Sequence, residues 1–442
     1  GFYVDWKAAK VPEPKLICFN RELAEQLGLE LSKTDEKHLA QIFAGNEVPT
    51  GAHTLAQVYA GHQFGGFSPQ LGDGRALLIG ETLGKDGVRR DIQLKGSGPT
   101  PFSRNGDGKA AIGPVLREYL MAEAMHALGI PTTRALAAVT TGEEVFREAP
   151  LPGAILTRVA SSHVRVGTFQ FFASRGDMEK VQQLADYVIW RHYPELAESD
   201  TKYVDLLKSV SDKQAKLIAQ WMTNGFIHGV MNTDNMTLSG ETIDYGPCAF
   251  MDHYDPNTVF SSIDEYGRYA YNNQPVLAQW NLARFAECLL PLLNEDQDKA
   301  LEEAKAIIEG FTEIYDAHWT SLMRGKLGLM KEETEDLVLA RTFLETMQGQ
   351  QVDFTLVFRH LGAALRGEED QLRNLYQATT LLDPWLKQWH DRIDRDENLS
   401  PEKRAEAMDK VNPLYIPRNH RVEEVLRAAQ EGDMQPFNTF YE

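Results

Sequence analysis

His228-Gly229-Val230-Met231-Asn232-Thr233-Asp234-Asn235 leads, nine residues on, to Asp244-Tyr245-Gly246. Upstream, Ala215, Ile218 and Met222 recur at helical spacing, so the run leaves the end of an amphipathic helix over Asp212–Asn224. Between the two motifs the pattern predicts a short hairpin, Met236–Leu238 and Thr242–Asp244, turning at Ser239-Gly240. Asn235 then lies just before the hairpin and Asp244 ends it. An amide oxygen and a carboxylate placed this way suit a hard divalent cation such as Mg²⁺.

The spacing matches that of kinase-like phosphotransferases. Those enzymes carry a histidine, an asparagine seven residues later, then a strand and Asp-Phe-Gly, with the asparagine and aspartate on the metal. Here Asn235 is seven residues after His228, and Asp-Tyr-Gly takes the last place. The position two after the histidine, where a catalytic aspartate is expected, holds Val230, which cannot accept a proton. Either catalysis is lost, or Asp234 supplies a base from a different point of the cleft.

Toward the N-terminus, residues 51–112 are glycine-rich and alternate short apolar runs, Ala76–Ile79 and Asp91–Leu94, with turns. They read as a twisted antiparallel sheet. Gly72-Asp73-Gly74-Arg75 precedes the first run and, taken alone, fits a tight turn or an anion-binding loop. Lys95 ends the second run beside Gly96-Ser97-Gly98, where a lysine holds phosphate as a point charge or simply edges a sheet. Pro114–Leu128 reads as a helix, with Pro114 in its first turn and Gly129 at its stop. On it, Val115, Met121, Ala122 and Met125 surround Glu118 at helical spacing. A carboxylate on that apolar face needs a cation or reaches solvent at the helix edge; Lys95 is the natural partner. Arg104 to Lys109, with Asp107 and Gly108, reads as a flexible loop or a surface turn. Arg158 and Arg165 bracket a stretch where guanidinium groups bind phosphate bidentately or form structural ion pairs. His163, between them, is given no role.

Strands at Arg134–Thr140 and Gly153–Val159 complete a β-rich first half. Helices follow at Met178–His192, Asp212–Asn224, Val276–Leu293, Asp298–Gly325 and Glu333–Glu345; before the sheet, residues 1–50 read as loops and short helices, Arg21–Leu29 the clearest. The pattern is that expected of an α+β, two-lobed enzyme with a cleft between its lobes: an N-terminal extension (1–50), a β-rich lobe (51–155), a helical lobe with the catalytic and metal loops (156–330) and a helical C-terminal extension (331–442). The net charge of −19 over 442 residues argues against broad nucleic-acid binding. Three widely spaced cysteines fit neither a disulfide framework nor a zinc site and agree with a reducing compartment. No apolar run spans a bilayer and no signal-peptide pattern opens the chain.

Long specific runs resemble the selenoprotein O family of YdiU-type proteins. They include Val58-Tyr59-Ala60-Gly61-His62-Gln63-Phe64-Gly65, Gln70-Leu71-Gly72-Asp73-Gly74-Arg75, Leu94-Lys95-Gly96-Ser97-Gly98, Ser103-Arg104-Asn105-Gly106-Asp107-Gly108, Gly129-Ile130-Pro131-Thr132-Thr133-Arg134-Ala135-Leu136 and His228 to Met236. The resemblance implies a protein-kinase-like fold that binds ATP in a flipped orientation. It implies transfer of AMP to Ser, Thr or Tyr hydroxyls of protein substrates. By motif, Gly72, Gly74, Arg75, Lys95, Asp107, Gly108, Arg158, Arg165 and Asp244 would bind ATP, and Glu118 would pair with Lys95. Asp234 would be the base, and Asn235 and Asp244 would hold Mg²⁺ or Mn²⁺. It also implies a cytoplasmic location in bacteria and an organellar one in eukaryotic relatives. Members commonly end in a cysteine- or selenocysteine-bearing tail; here no cysteine follows Cys288. Two other readings stay open on the residues: UMP transfer by the same site, and a non-catalytic nucleotide-binding scaffold.

Overall fold

The computed structural model describes residues 1–31, 33–396 and 399–442. It is a mixed α+β structure: an antiparallel sheet region first in the chain, then a larger helical region.

Strands β1 (Tyr3–Asp5), β2 (Lys15–Phe19) and helices α1 (Arg21–Gln26) and α2 (Glu36–Phe43) open the chain. Next come β3 (Leu55–Gln57), the small hairpin β4 (Gly61–Gln63) and β5 (Gly66–Ser68), β6 (Ala76–Leu83), β7 (Arg89–Lys95) and β8 (Ala110–Ala111). Helix α3 (Ile112–Ala127) and the long strands β9 (Arg134–Phe146) and β10 (Pro150–Ala160) complete the sheet region. The main sheet has the order β1-β3-β6-β7-β10-β9-β2, with β8 paired to β10.

Side chains alternate between the two faces of a strand. Ile155 and Val159 of β10, with Ile92 and Leu94 of β7, therefore turn to one face. There they form a core with Leu23, Leu39 and Phe43 of α1 and α2. The opposite face carries Ala154, Leu156 and Arg158 of β10, with Gln93 and Lys95 of β7, and meets α3. In the β7–β10 register Gln93 lies opposite Arg158 and Lys95 opposite Leu156. The polar members of both strands are thus stacked on one face before any ligand is considered.

The helical region begins with α4 (Val166–Ala173), α5 (Met178–His192) and α6 (Lys202–Asn224), the last stopped by Gly225 in the left-handed conformation. The two-residue strands β11 (Phe226–Ile227) and β12 (Ala249–Phe250) pair and bracket the motif loop. Then follow α7 (Gln274–Leu293), α8 (Gln297–Glu309), α9 (Phe311–Leu327), α10 (Asp336–Met347), α11 (Phe354–Leu365), α12 (Glu369–Arg373), α13 (Leu382–Ile393), α14 (Pro401–Val411), α15 (Asn419–Gln430) and α16 (Gln435–Tyr441). One apolar core runs from α3 through these helices; α15 returns to cover α3, and Tyr441 of α16 packs edge-on against Tyr119. Arg117 of α3 seals this return. It donates to Glu423 Oε1 and Asn419 Oδ1 of α15 and to the carbonyls of Gly246 and Cys248. Among the described residues no helix is long and apolar enough to cross a membrane, and all three cysteines are free.

Three expectations are corrected. Residues 1–50 are not only loops and helices, because β1 and β2 form both edges of the main sheet. Their short, half-exposed sequences have no amphipathic signal of their own and depend on their neighbours for pairing. The helix expected over Asp298–Gly325 is two helices, α8 and α9, parted at Gly310, a poor helix former. The hairpin expected over Met236–Leu238 and Thr242–Asp244 does not pair with itself. Thr237 bridges Arg165, and Thr242 bridges Thr132. Its turn is held by Thr237 Oγ1, which donates to the Glu241 carbonyl and accepts from the Glu241 N–H. Both arms are thereby pinned to the segments that carry the arginines and the α3–β9 connection.

Candidate active site

A cavity of about 540 Å³ opens between the polar face of the sheet and the motif loop. The residues expected to bind nucleotide or metal all line it: Asp234, Asn235 and Asp244 from the motif loop, Lys95, Glu118, Arg158 and Arg165 from the framework, and Gly72, Gly74, Arg75, Asp107 and Gly108 from the glycine loops.

Asp244 is its centre. Lys95 Nζ donates to Asp244 Oδ1 at 2.7 Å and to Glu118 Oε2 at 2.6 Å. Arg158 Nη1 donates to the same Asp244 oxygen at 2.6 Å and to Glu118 Oε1 at 3.1 Å. Arg165 Nη1 reaches Asp244 Oδ2 at 3.4 Å and the Asp234 carbonyl at 3.1 Å. Burial pushes the Asp244 carboxyl up, but Lys95, Arg158 and Arg165 outweigh it and hold the group well below the usual carboxylate range. The backbone of Asp244 is left-handed, with φ 63°, a conformation uncommon for a residue with a side chain and met at sites where strain is stored. Three cations face two carboxylates in this buried cluster. The surplus positive charge faces a cavity of a size suited to a small-molecule ligand.

Asp234 lies in a different setting. It is 7 % exposed, Gln63 Nε2 donates to its Oδ2 at 3.3 Å, and its Oδ1 is buried without a partner. Burial, only partly countered by Arg165, raises its pKa to about 6. Two carboxylates of one loop are thus set apart: Asp244 stays ionised, and Asp234 exchanges a proton near neutrality. Glycines make room for it. A Cβ on Gly61 would stand 2.4 Å from Asp234 Oδ1, and one on Gly167 would stand 2.1 Å from the Ala60 carbonyl. Asn235 donates through Nδ2 to the Val230 carbonyl at 2.9 Å, which orients its amide. His228 does not face the cavity. It is buried, with Nε2 on the Ile243 carbonyl at 2.8 Å and its ring stacked on Trp221, so it braces the loop.

The glycine loops form the cavity's other wall. Gly108 has φ 65°, and a Cβ there would stand 2.1 Å from the Gly98 carbonyl oxygen. Gly72 has φ 120°, with Phe102 against it. Arg75 is exposed, with its side chain at the cavity. Asp107 is paired by Arg147, at 2.8 Å and 3.1 Å, which makes it a fixed member of the rim.

Sequence reasoning passed over Gln93, Asp73, Tyr59 and Arg147. Gln93 Oε1 accepts from Arg158 Nη2 at 2.6 Å and Nε at 3.2 Å. The alternation Asp91-Ile92-Gln93-Leu94-Lys95 places it on the face of Lys95, which is a usable signal. Asp73, buried between two glycines, accepts from the Gln57 N–H at 2.9 Å and from Gln93 Nε2 at 3.3 Å. Burial raises its pKa. Arg165 lies over the Tyr59 ring, 4.5 Å from its centroid. Neither that contact nor the Arg147–Asp107 pair has a local signature. His163 is neutral and structural. Its Nδ1 is 3.0 Å from Asp91 Oδ2, and burial lowers its pKa to about 4.

The family described as Protein adenylyltransferase SelO matches residues 1–442. Proteins named Protein nucleotidyltransferase YdiU are similar along the chain. The one from Cereibacter sphaeroides is 59 % identical over 443 residues, covering 100 % of this chain and 90 % of the relative. The one from Rhizobium leguminosarum bv. trifolii is 59 % identical over 439 residues, covering 99 % and 87 %. That from Agrobacterium fabrum is 57 % identical over 429 residues, covering 97 % and 88 %. With a match over its whole length and such relatives, the chain belongs to the SelO family of protein nucleotidyltransferases.

Proposed function

We propose that this protein transfers AMP from ATP to Ser, Thr or Tyr hydroxyls of protein substrates, on a kinase-like, two-lobed scaffold. The observation that carries the reading is the place of Asp234: a buried carboxylate with one oxygen unpartnered, its pKa raised by burial, in the same cavity as Lys95, Arg158 and Arg165. A base poised near neutrality takes the proton of an attacking hydroxyl. Fixed cations stabilise the charge that develops on a pyrophosphate leaving group. The hydroxyl oxygen forms a bond to the α-phosphorus, the bond to pyrophosphate breaks, and the proton passes to Asp234. Val230 stands where a γ-phosphoryl-transferring enzyme would carry its aspartate, which favours nucleotidyl over phosphoryl transfer.

For a divalent metal the chain offers two oxygen donors, Asn235 and Asp244, and among the described residues no cluster of three metal-binding side chains. That donor set fits Mg²⁺ or Mn²⁺, which take one or two protein oxygens and complete their shell with phosphate and water. The metal, when bound, would neutralise the triphosphate. The chain's own part is to keep Asp244 ionised and Asn235 oriented. Intact-mass analysis of an acceptor protein incubated with the chain, ATP and Mg²⁺ tests the proposal. A gain of one adenylyl group, absent with Asp234→Ala, supports it. A gain of one phosphate, or no gain with an acceptor that other family members modify, counts against it. A uridylyl gain with UTP in place of ATP identifies UMP transfer instead.

A further inference from the structure

The β4–β5 hairpin belongs to the nucleotide site through one residue and leads away from it through the rest. Gln63 touches Asp234, and the His62 N–H donates to Thr233 Oγ1 at 2.7 Å. The hairpin then turns at Phe64 (φ 51°) and Gly65 (φ 84°). Both central residues are left-handed, as a tight two-residue hairpin requires, yet one of them is a phenylalanine. It is held there from outside. The Phe64 N–H donates to Tyr269 Oη at 3.0 Å and to Asn232 Oδ1 at 3.3 Å, and its ring packs edge-on against Tyr269.

Beneath the tip lies Arg268. A Cβ on Gly65 would stand 3.6 Å from its guanidinium carbon, and that carbon is 5.0 Å from the centroid of Trp280. Arg284 lies over the same indole at 5.0 Å but is bound to Glu287 at 2.8 Å. Glu265, the nearest acid in sequence, is exposed, and Asp264 accepts the backbone N–H groups of Arg268 and Tyr269. Among the described residues Arg268 has no carboxylate partner, and its Nε is buried without a hydrogen bond. His62, against Trp280 at 5.2 Å, has its pKa lowered by burial first and then by Arg284 and Arg268. Phe64, packed on Tyr269, and Phe67, packed on His62, are exposed, as is Tyr266, two residues before Arg268 in the chain. A guanidinium without a carboxylate partner, set against Trp280 and Tyr269 with exposed aromatics on the neighbouring segments, has the composition of a protein-recognition hot spot. In a chain of net charge −19, such a local cation selects for negative charge.

We propose that Arg268, on Trp280 and under the hairpin tip, binds an acidic side chain of the acceptor polypeptide close in sequence to the modified hydroxyl. The inference rests on the reading of Asp234 as the base to which that hydroxyl is presented. Gln63, whose side chain touches Asp234, and Gly65, over Arg268, are two residues apart, at most roughly 7 Å between their Cα atoms. Both contacts therefore lie on the same hairpin, and an acid a few residues from the hydroxyl in an extended chain is placed to reach Arg268.

The test measures binding, so it does not depend on turnover. Fluorescent serine peptides flanked by aspartates or by lysines are titrated with the full chain at low salt, with Mg²⁺ and α,β-methylene-ATP filling the nucleotide cavity. The aspartate peptide is expected to bind at least roughly tenfold tighter than the lysine peptide. Arg268→Ala should remove that preference and Arg268→Glu should invert it, with melting temperatures unchanged. Equal binding of the two peptides, or an aspartate preference that survives Arg268→Glu, overturns the inference. Label transfer from α-labelled ATP to the same peptides is read separately. Its absence alongside an Arg268-dependent preference counts against AMP transfer and leaves the acidic subsite standing.

Discussion

Lys95 and Asp244, 149 residues apart in the chain, are joined by a 2.7 Å contact between ammonium and carboxylate, and Arg158 reaches the same oxygen at 2.6 Å. The ends of β7 and β10 are thereby tied to the loop that carries Asp234 and Asn235. Glu118 is the second carboxylate of this cluster and the only one supplied by α3. Glu118→Gln keeps its shape and removes its charge, leaving Lys95 and Arg158 with Asp244 alone. The expected cost is about 1–3 kcal/mol of stability, less than for a buried charge left wholly unpaired. Urea denaturation checks this, and calorimetric titration with ATP should show a parallel loss of affinity.

Asp234 makes a prediction with a defined sign. Its folded-state pKa of about 6 lies above the unfolded value near 3.9. The folded state therefore holds a proton that the unfolded chain has lost, and stability falls as pH rises between those values. Asp234→Asn should leave stability at pH 4 almost unchanged and raise it at pH 7–8 by on the order of 1–3 kcal/mol. The same substitution should lower turnover by roughly 10²-fold or more. In the unmodified chain kcat/KM should rise with pH and level off above about 6. A stable but inactive variant is the combination expected of a base kept at the expense of stability.

Gly108 tests the cavity wall. Its φ of 65° and the 2.1 Å approach of the Gly98 carbonyl exclude a side chain. Gly108→Ala should cost roughly 2 kcal/mol or more and weaken ATP binding. Gly246→Ala, with nothing within 4 Å of its Cβ position, should change thermal stability by less than about 1 kcal/mol. Parallel melting curves of the two variants separate a local steric demand from general glycine loss.

Lys326, far from the site in α9, is buried, and its ammonium lies over the Phe358 ring at 4.6 Å with no ion pair among the described residues. Burial lowers its pKa to about 7. The unfolded chain keeps that proton to about pH 10.4, so stability contributed by this group rises with pH from 7 toward 10. Lys326→Met, close in volume, should stabilise the protein by about 1–3 kcal/mol at pH 6–7, with the gain shrinking above pH 9. Denaturation midpoints at the two pH values check the sign.

The residues legible in the sequence were those whose partners follow from periodicity. Glu118 sat on an apolar helical face and needed a cation, and Lys95 ended the neighbouring strand; the structure brings them to 2.6 Å. The spacing of His228, Asn235 and Asp244 likewise placed one loop beside one cavity. What stayed hidden depended on contacts between distant segments. Thr237 pairs with Arg165 rather than across its own turn, so a locally plausible hairpin was absent. Arg147 holds Asp107 across 40 residues. The edge strands Tyr3–Asp5 and Lys15–Phe19 exist because β3 and β9 offer them partners, which no local pattern records. The raised pKa of Asp234 comes from burial beneath the hairpin that Gly61 and Gln63 build, and the composition of its own loop gives no hint of it.

AMP transfer by this cavity is tested with the purified chain, Mg²⁺ or Mn²⁺, an acceptor protein and ATP labelled on either the α- or the γ-phosphate. Label is expected on protein from α-labelled ATP only, and is lost with Asp244→Ala. Label on protein from γ-labelled ATP, or α-label that survives Asp244→Ala, would contradict AMP transfer by this cavity.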